Sequence, residues 1–160
     1  MKMSRHFALT ALVALLAAPA FAQLPNPYGT SIGVDEAKKI AALSVAEAKK
    51  NNFKMAIAIV DISGDLVYFE KMDGTQAASV RIAQDKAQSA ARFKRPTKAL
   101  QDALAAGGAG LRLLALEGAV PVEGGLPIIQ DGKIIGAIGA SGGTSEQDGQ
   151  TAKAGADSVK

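Results

Sequence analysis

The chain has 160 residues, no cysteine, a single histidine and a formal net charge of +3. That composition excludes disulfides, cysteine nucleophiles and Cys/His zinc sites. The length suits one domain with a core of its own, and the 4% aromatic content without Trp points to close packing of Ala- and Gly-rich elements.

At the N-terminus, Lys2 and Arg5 precede an apolar run over residues 7–18, broken only by Thr10, and Ala20-Phe-Ala22 has the form of a cleavage site. Residues 1–22 therefore read as a secretory signal peptide with Gln23 as the first mature residue. The run is shorter than the ~20 residues a spanning helix needs. The expected location is periplasmic or secreted, with no transmembrane anchor after signal cleavage. His6 would leave with the signal, which also excludes a Ser-His-Asp triad in the mature chain. Loss of Lys2 and Arg5 brings the charge to about +1, and no nucleic-acid partner is expected. The basic run Arg92-Phe-Lys-Arg95 reads as a solvated helix end.

Residues 23–32, with Leu24-Pro-Asn-Pro27, form an extended leader, and residues 33–160 form the domain. Val34, Ala37, Ile40, Ala41, Val45 and Ala48 repeat at helical spacing from Gly33 to Asn51-Asn52. Residues 55–60 are a short apolar run and read as a strand buried on both faces. Residues 66–69 return beside it after the turn Asp61-Ile-Ser-Gly-Asp65. After a second turn, Met72-Asp-Gly-Thr75, a helix is expected over residues 77–93. Pro96 breaks it, and another helix follows over residues 97–106, closed by Gly107. Residues 111–115 read as a short strand or the end of a bent helical piece, and residues 120–122 as extended. Two apolar runs, 126–129 and 134–138, flank Asp131-Gly132, the signature of a tight hairpin. A last helix starts at Thr144 or Ser145 and runs toward Val159, with Thr144 and Gln147 in capping-box spacing. Hairpin-linked strands imply an antiparallel sheet with helices packed on it, and the economical pairing sets the first strand beside the last.

In order along the chain, Val60-Asp-Ile-Ser-Gly-Asp-Leu66, Lys71-Met-Asp-Gly74, Pro96-Thr97, Gly124-Gly-Leu-Pro-Ile128, Gly136-Ala-Ile-Gly-Ala-Ser-Gly-Gly143 and Ser145-Glu-Gln-Asp148 resemble the GlcG/HbpS haem-binding (haem-degrading domain) family. The specificity lies in the succession. The resemblance implies a single α/β (α+β) domain with a five-stranded antiparallel sheet in profilin-like layering, assembly into homo-oligomers, and haem as the candidate cofactor. Some members hold haem iron through histidine, and the mature chain would have none. Lys71 stands where the motif commonly has Arg, keeping the charge but losing the bidentate fork.

Without histidine, haem iron could take Tyr, Met or Lys, and the candidates are Tyr68, Met72, Tyr28 and Lys71. Met72 also reads as a turn residue folded on the core, and Tyr68 as an ordinary strand residue. An alternative needs no strong axial donor: haem in an apolar groove, with Thr97 or Thr75 near the iron and Lys/Arg on the propionates. Gly142, Gly143 and Thr144 open the last helix and offer backbone amides to an anion; close packing and a turn are the more ordinary account of the glycines. Gly124 and Gly125 are further contact candidates. Asp73 caps a helix or, with Gly74, contacts a ligand, or acts as a general base beside Lys86 or Arg81. The reading favoured is an exported small-ligand binder for haem or a similar flat anion. The alternatives are a small exported lyase or isomerase and an accessory partner of a periplasmic oxidative pathway or sensor.

Overall fold

The computed structural model describes residues 25–159, so the signal-peptide segment lies outside the described residues. Helix α1 spans Val34–Lys50, strand β1 Ala56–Val60, strand β2 Leu66–Lys71, helix α2 Ser79–Phe93 and helix α3 Thr97–Ala105. A 3₁₀ helix, Gly108–Ala115, leads to strand β3 Gly125–Gln130, strand β4 Lys133–Ser141 and helix α4 Ser145–Ala156. Among the described residues, no helix is long and apolar enough to cross a membrane.

The strands form one antiparallel sheet in the order β2-β1-β4-β3, so the first strand does pair with the last. Alternation along β1 decides what each face receives. Ile57 and Ile59 join Ile128, Ile135 and Ile138 under the apolar stripes of α1 and α4. Ala56, Ala58 and Val60 join Ala137 under Ala83, Ala87, Ala90 and Ala91 of α2. Large side chains thus fill one layer and small ones the other. On the small side α2 comes so near that a Cβ on Gly139 would lie 2.0 Å from the Ala83 carbonyl oxygen.

The sheet has four strands, not the five that the resemblance implied. Residues 111–115 wind into the 3₁₀ helix, where Leu111 and Leu114 face solvent instead of alternating across a sheet. Residues 120–122 stay unpaired, and Pro121 has no N–H to give a ladder. The leader reaches β4 through one parallel bridge, Tyr28 to Ile134.

Local signals account for the ends of the elements. Asp131 (φ 49°) and Gly132 (φ 72°) both take the positive φ that a tight hairpin demands. Thr144 and Gln147 form the expected capping box at α4. Helix α2 starts at Ser79, later than expected, and has no side-chain cap, so Asp73 does not cap it. It ends at Lys94 in the left-handed conformation (φ 53°), two residues before Pro96.

Gly139→Ala should destabilise the fold by about 3 kcal/mol, because the methyl group meets the α2 backbone and not a yielding side chain. Urea unfolding monitored by circular dichroism measures this.

Candidate functional site

Strand register gathers many of the candidate residues at one end of the sheet. Lys71 pairs with Ala56, and Ala56 with Ser141. Just beyond, Met72 N–H donates to Met55 O, and Ala140 N–H donates to Gly124 O. The segments bearing Lys71 to Gly74, Gly142 to Thr144, and Gly124 with Gly125 therefore emerge side by side. Three strand spacings separate Met72 from Gly124, about 14 Å, so they do not line one small pocket.

At the β2 corner a cleft of about 330 Å³ is lined by Lys49, Lys54, Glu70, Lys71, Met72 and Asp73. Met72 is half-buried against the core, and Asp73 is exposed. The cations expected beside Asp73 are engaged elsewhere: Arg81 pairs with Asp85 at 2.8 Å, and Lys86 with Asp148 at 2.7 Å. Tyr68 donates its hydroxyl to Glu70 Oε2 at 3.1 Å, and that carboxylate pushes the phenol above its ordinary pKa. The phenolate form that would bind ferric iron is thereby disfavoured. Thr75 is buried and donates to Met72 O.

The middle of this end holds an ion pair. Lys86 Nζ and Asp148 Oδ2 are both almost wholly buried, and Asp148 Oδ1 also accepts from Gly143 N–H at 3.0 Å. Burial is the largest influence on Asp148 and pushes its carboxyl up; Lys86 and the amides of Gly143 and Gly142 pull it down. The amides opening α4 are thus engaged within the chain: Gly143 N–H by Asp148, and Thr144 N–H by Gln147 Oε1. Gly124 and Gly125 let the backbone close over the pair. A Cβ on Gly124 would lie 2.8 Å from Lys86 Nζ, and one on Gly125 would lie 2.3 Å from Lys86 O. Thr97 Oγ1, fully buried, accepts from Gly125 N–H at 2.9 Å. This pair escaped the sequence reading. Its signal was a lysine on the apolar stripe of α2, between Ala83 and Ala90 and beside Ala87.

The outer edge of β3 borders a groove of about 690 Å³, within the range of small-molecule sites and lined largely by apolar residues. Leu126, Pro127 and Ile129 of β3, Ile134 of β4, Ala156 of α4, Val159 beyond it, and Pro25 and Pro96 make up its apolar lining. Lys94 and Lys153 stand among these apolar groups, with Asp157. The Lys94 ammonium sits 3.9 Å from the centroid of the Tyr28 ring, a cation–π contact. Tyr28 in turn donates its hydroxyl to Ala91 O. Lys153 pairs with Asp157 one turn on. A smaller recess of about 150 Å³ shares Leu126 and Lys153 with the groove and reaches Gly124 and Gly125. Two of the predicted contact glycines therefore line this recess beside the groove, whereas Tyr68 and Met72 belong to the opposite edge of the sheet.

Residues 32–157 match the family described as haem degrading protein HbpS-like. The chain belongs to this family. Protein GlcG of Escherichia coli K12 is 39% identical over 105 residues, covering 66% of this chain and 77% of GlcG. A double mutant of Streptomyces reticuli HbpS superposes with a TM-score of 0.75 at 27% identity, covering 96% of this chain and 99% of that one. The complex of PduOC with haem superposes with a TM-score of 0.73 at 25% identity, covering 82% of this chain and 96% of PduOC. Membership makes haem a candidate cofactor of this HbpS-like chain.

Lys86→Met should cost about 3 kcal/mol, because Asp148 keeps its burial penalty and loses its partner. The folded-state carboxyl then lies above its unfolded value, so the variant should lose stability as pH rises above about 4, the ordinary aspartate range. Adding Asp148→Asn should recover most of the loss and abolish the slope. Urea midpoints across this pH range are the measurement.

Proposed function

We propose that this HbpS-like chain binds haem reversibly in the groove beside β3, as an exported binding protein. The observation that carries the reading is the groove itself: a largely apolar lining that also holds two lysines. Haem has the matching form, a flat apolar macrocycle with two carboxylates at one edge. Leu126, Pro127, Ile129 and Val159 would contact the plane, and Lys94 and Lys153 the propionates.

The donor set fits the macrocycle better than the iron. Described residues include no His or Cys. Tyr68 is tied to Glu70, Tyr28 donates its hydroxyl to Ala91 O, and Met72 and Lys71 line a different cleft. Thr97 and Thr75 hold backbone groups. Contact through surface and charge alone supports modest affinity and easy release, which suits a scavenger or carrier. Bound haem would supply the iron chemistry; the chain's residues bind and orient it and shield one face from water.

The signal-like segment through Ala22 supports export, and N-terminal sequencing of the mature protein is expected to begin at Gln23. The exposed Leu111, Leu114 and Leu116 support self-association. Gel filtration is expected to show more than a monomer, and a clean monomer would count against it.

Haemin titrated into purified protein should give a saturable shift of its Soret band. Lys94→Asn combined with Lys153→Gln should weaken binding at least about tenfold, since each charged contact contributes on the order of a kcal/mol. Asn tolerates the left-handed backbone at position 94, so the fold should persist. The absence of any spectral change into the micromolar range would exclude the proposal.

A further inference from the structure

We infer that the groove recognises dicarboxylate porphyrins whatever their central metal, and that Asp157 limits affinity by competing for Lys153. This rests on the groove reading above and deepens it.

The polar groups of the groove belong to its charged rim. Lys94 is positioned before any ligand arrives: its backbone is fixed in the left-handed conformation and its ammonium rests on the Tyr28 ring. Little side-chain freedom is then lost when a carboxylate docks, which favours affinity. Lys153 differs, because Asp157 already holds it in an i,i+4 pair on the surface of α4. A ligand carboxylate must displace the Asp157 carboxylate and then sit beside that negative charge. Exposed pairs of this kind are weak, so displacement is feasible while repulsion continues to act on the bound ligand.

The apolar lining supplies the second half of recognition. Leu126, Pro127 and Ile129, half-buried or exposed at the β3 edge, offer hydrocarbon to a ligand, whereas Ile134 is buried beneath them. Of the Tyr and Met side chains suited to iron, Tyr68 and Met72 lie at the β2 edge, three strand spacings from β3, and Tyr28, beside Lys94, already donates its hydroxyl to Ala91 O. Affinity should therefore follow the porphyrin plane and its carboxylates and not the metal.

The test compares haemin, metal-free protoporphyrin IX and the dimethyl ester of protoporphyrin IX on the mature protein, by absorbance and porphyrin fluorescence. The inference expects Kd values for haemin and the metal-free acid within about threefold, and at least tenfold weaker binding of the ester. Asp157→Asn should tighten both acids several-fold without affecting the ester; the substitution removes a surface pair only, and circular dichroism checks that the fold is kept. Haemin binding with the metal-free acid more than about thirtyfold weaker would reveal an iron ligand and overturn the inference, leaving the haem reading intact. Unchanged or weakened binding of the acids in Asp157→Asn would overturn the role of Asp157. Failure of all three porphyrins to bind would remove the groove reading itself.

Discussion

Helix α2 and the sheet approach until backbone meets backbone: the Gly139 Cα faces the Ala83 carbonyl with no space for a methyl group between them. The contact is possible because the facing positions are Ala83, Ala87 and Ala90 on the helix and Ala58, Ala137 and Gly139 on the strands. The buried apolar side chains of this layer are alanines apart from Val60, with Phe69 half-buried against them. Lys86, on the same stripe, can be accommodated only by extending along the interface to its far edge, where Asp148 receives it. The close approach and the ion pair are two consequences of one packing decision.

The pair then fixes what surrounds it. Asp148 holds the Gly143 amide, so the turn from β4 into α4 is tied to α2. Gly124 and Gly125 close over the lysine, and Thr97 secures Gly125, so the start of β3 is tied to α3. Helix α4 therefore leaves the sheet in a set direction, and its later residues, Lys153 and Ala156, wall the groove. The other end of α2 delivers Lys94 to the opposite wall. Burying both charges contributes little net stability, since desolvation offsets their attraction; its effect is on geometry.

The groove exists because β3 is an edge strand. Pro127 removes one donor from that edge, which discourages another strand from pairing there. The Pro25-to-Pro27 leader and the turn after α2 flank the edge without covering it. The result is an apolar strip with charges along its rim. The β2 edge, by contrast, ends in a small polar cleft rich in lysine. The two edges of one sheet thus present surfaces of opposite character.

Local chemistry made much of this legible from the residues alone. Asp131-Gly132 announced a hairpin because few other dipeptides take two positive φ angles. Thr144 with Gln147 announced a helix start because each satisfies the other's amide. The apolar run through Ala56–Val60 announced a central strand because only a strand covered on both faces can bury every residue. The family resemblance was carried by motifs in order, most of which lie at turns and strand ends. Contacts distant in sequence were not legible. Lys86 and Asp148 stand 62 positions apart, and nothing local to either names the other. The groove draws on the leader, α2, β3, β4 and α4, and its walls have no common sequence signature. The strand count also depended on tertiary structure, since residues 111–115 suit a strand or a helical turn and only the absence of a partner ladder decides between them. Turn and cap energies act within a few residues, so the elements and the order in which they fold back on one another follow from neighbouring residues. Which charges are buried and which cavity stays open follow instead from how closely the layers pack, and that depends on contacts between distant parts of the chain.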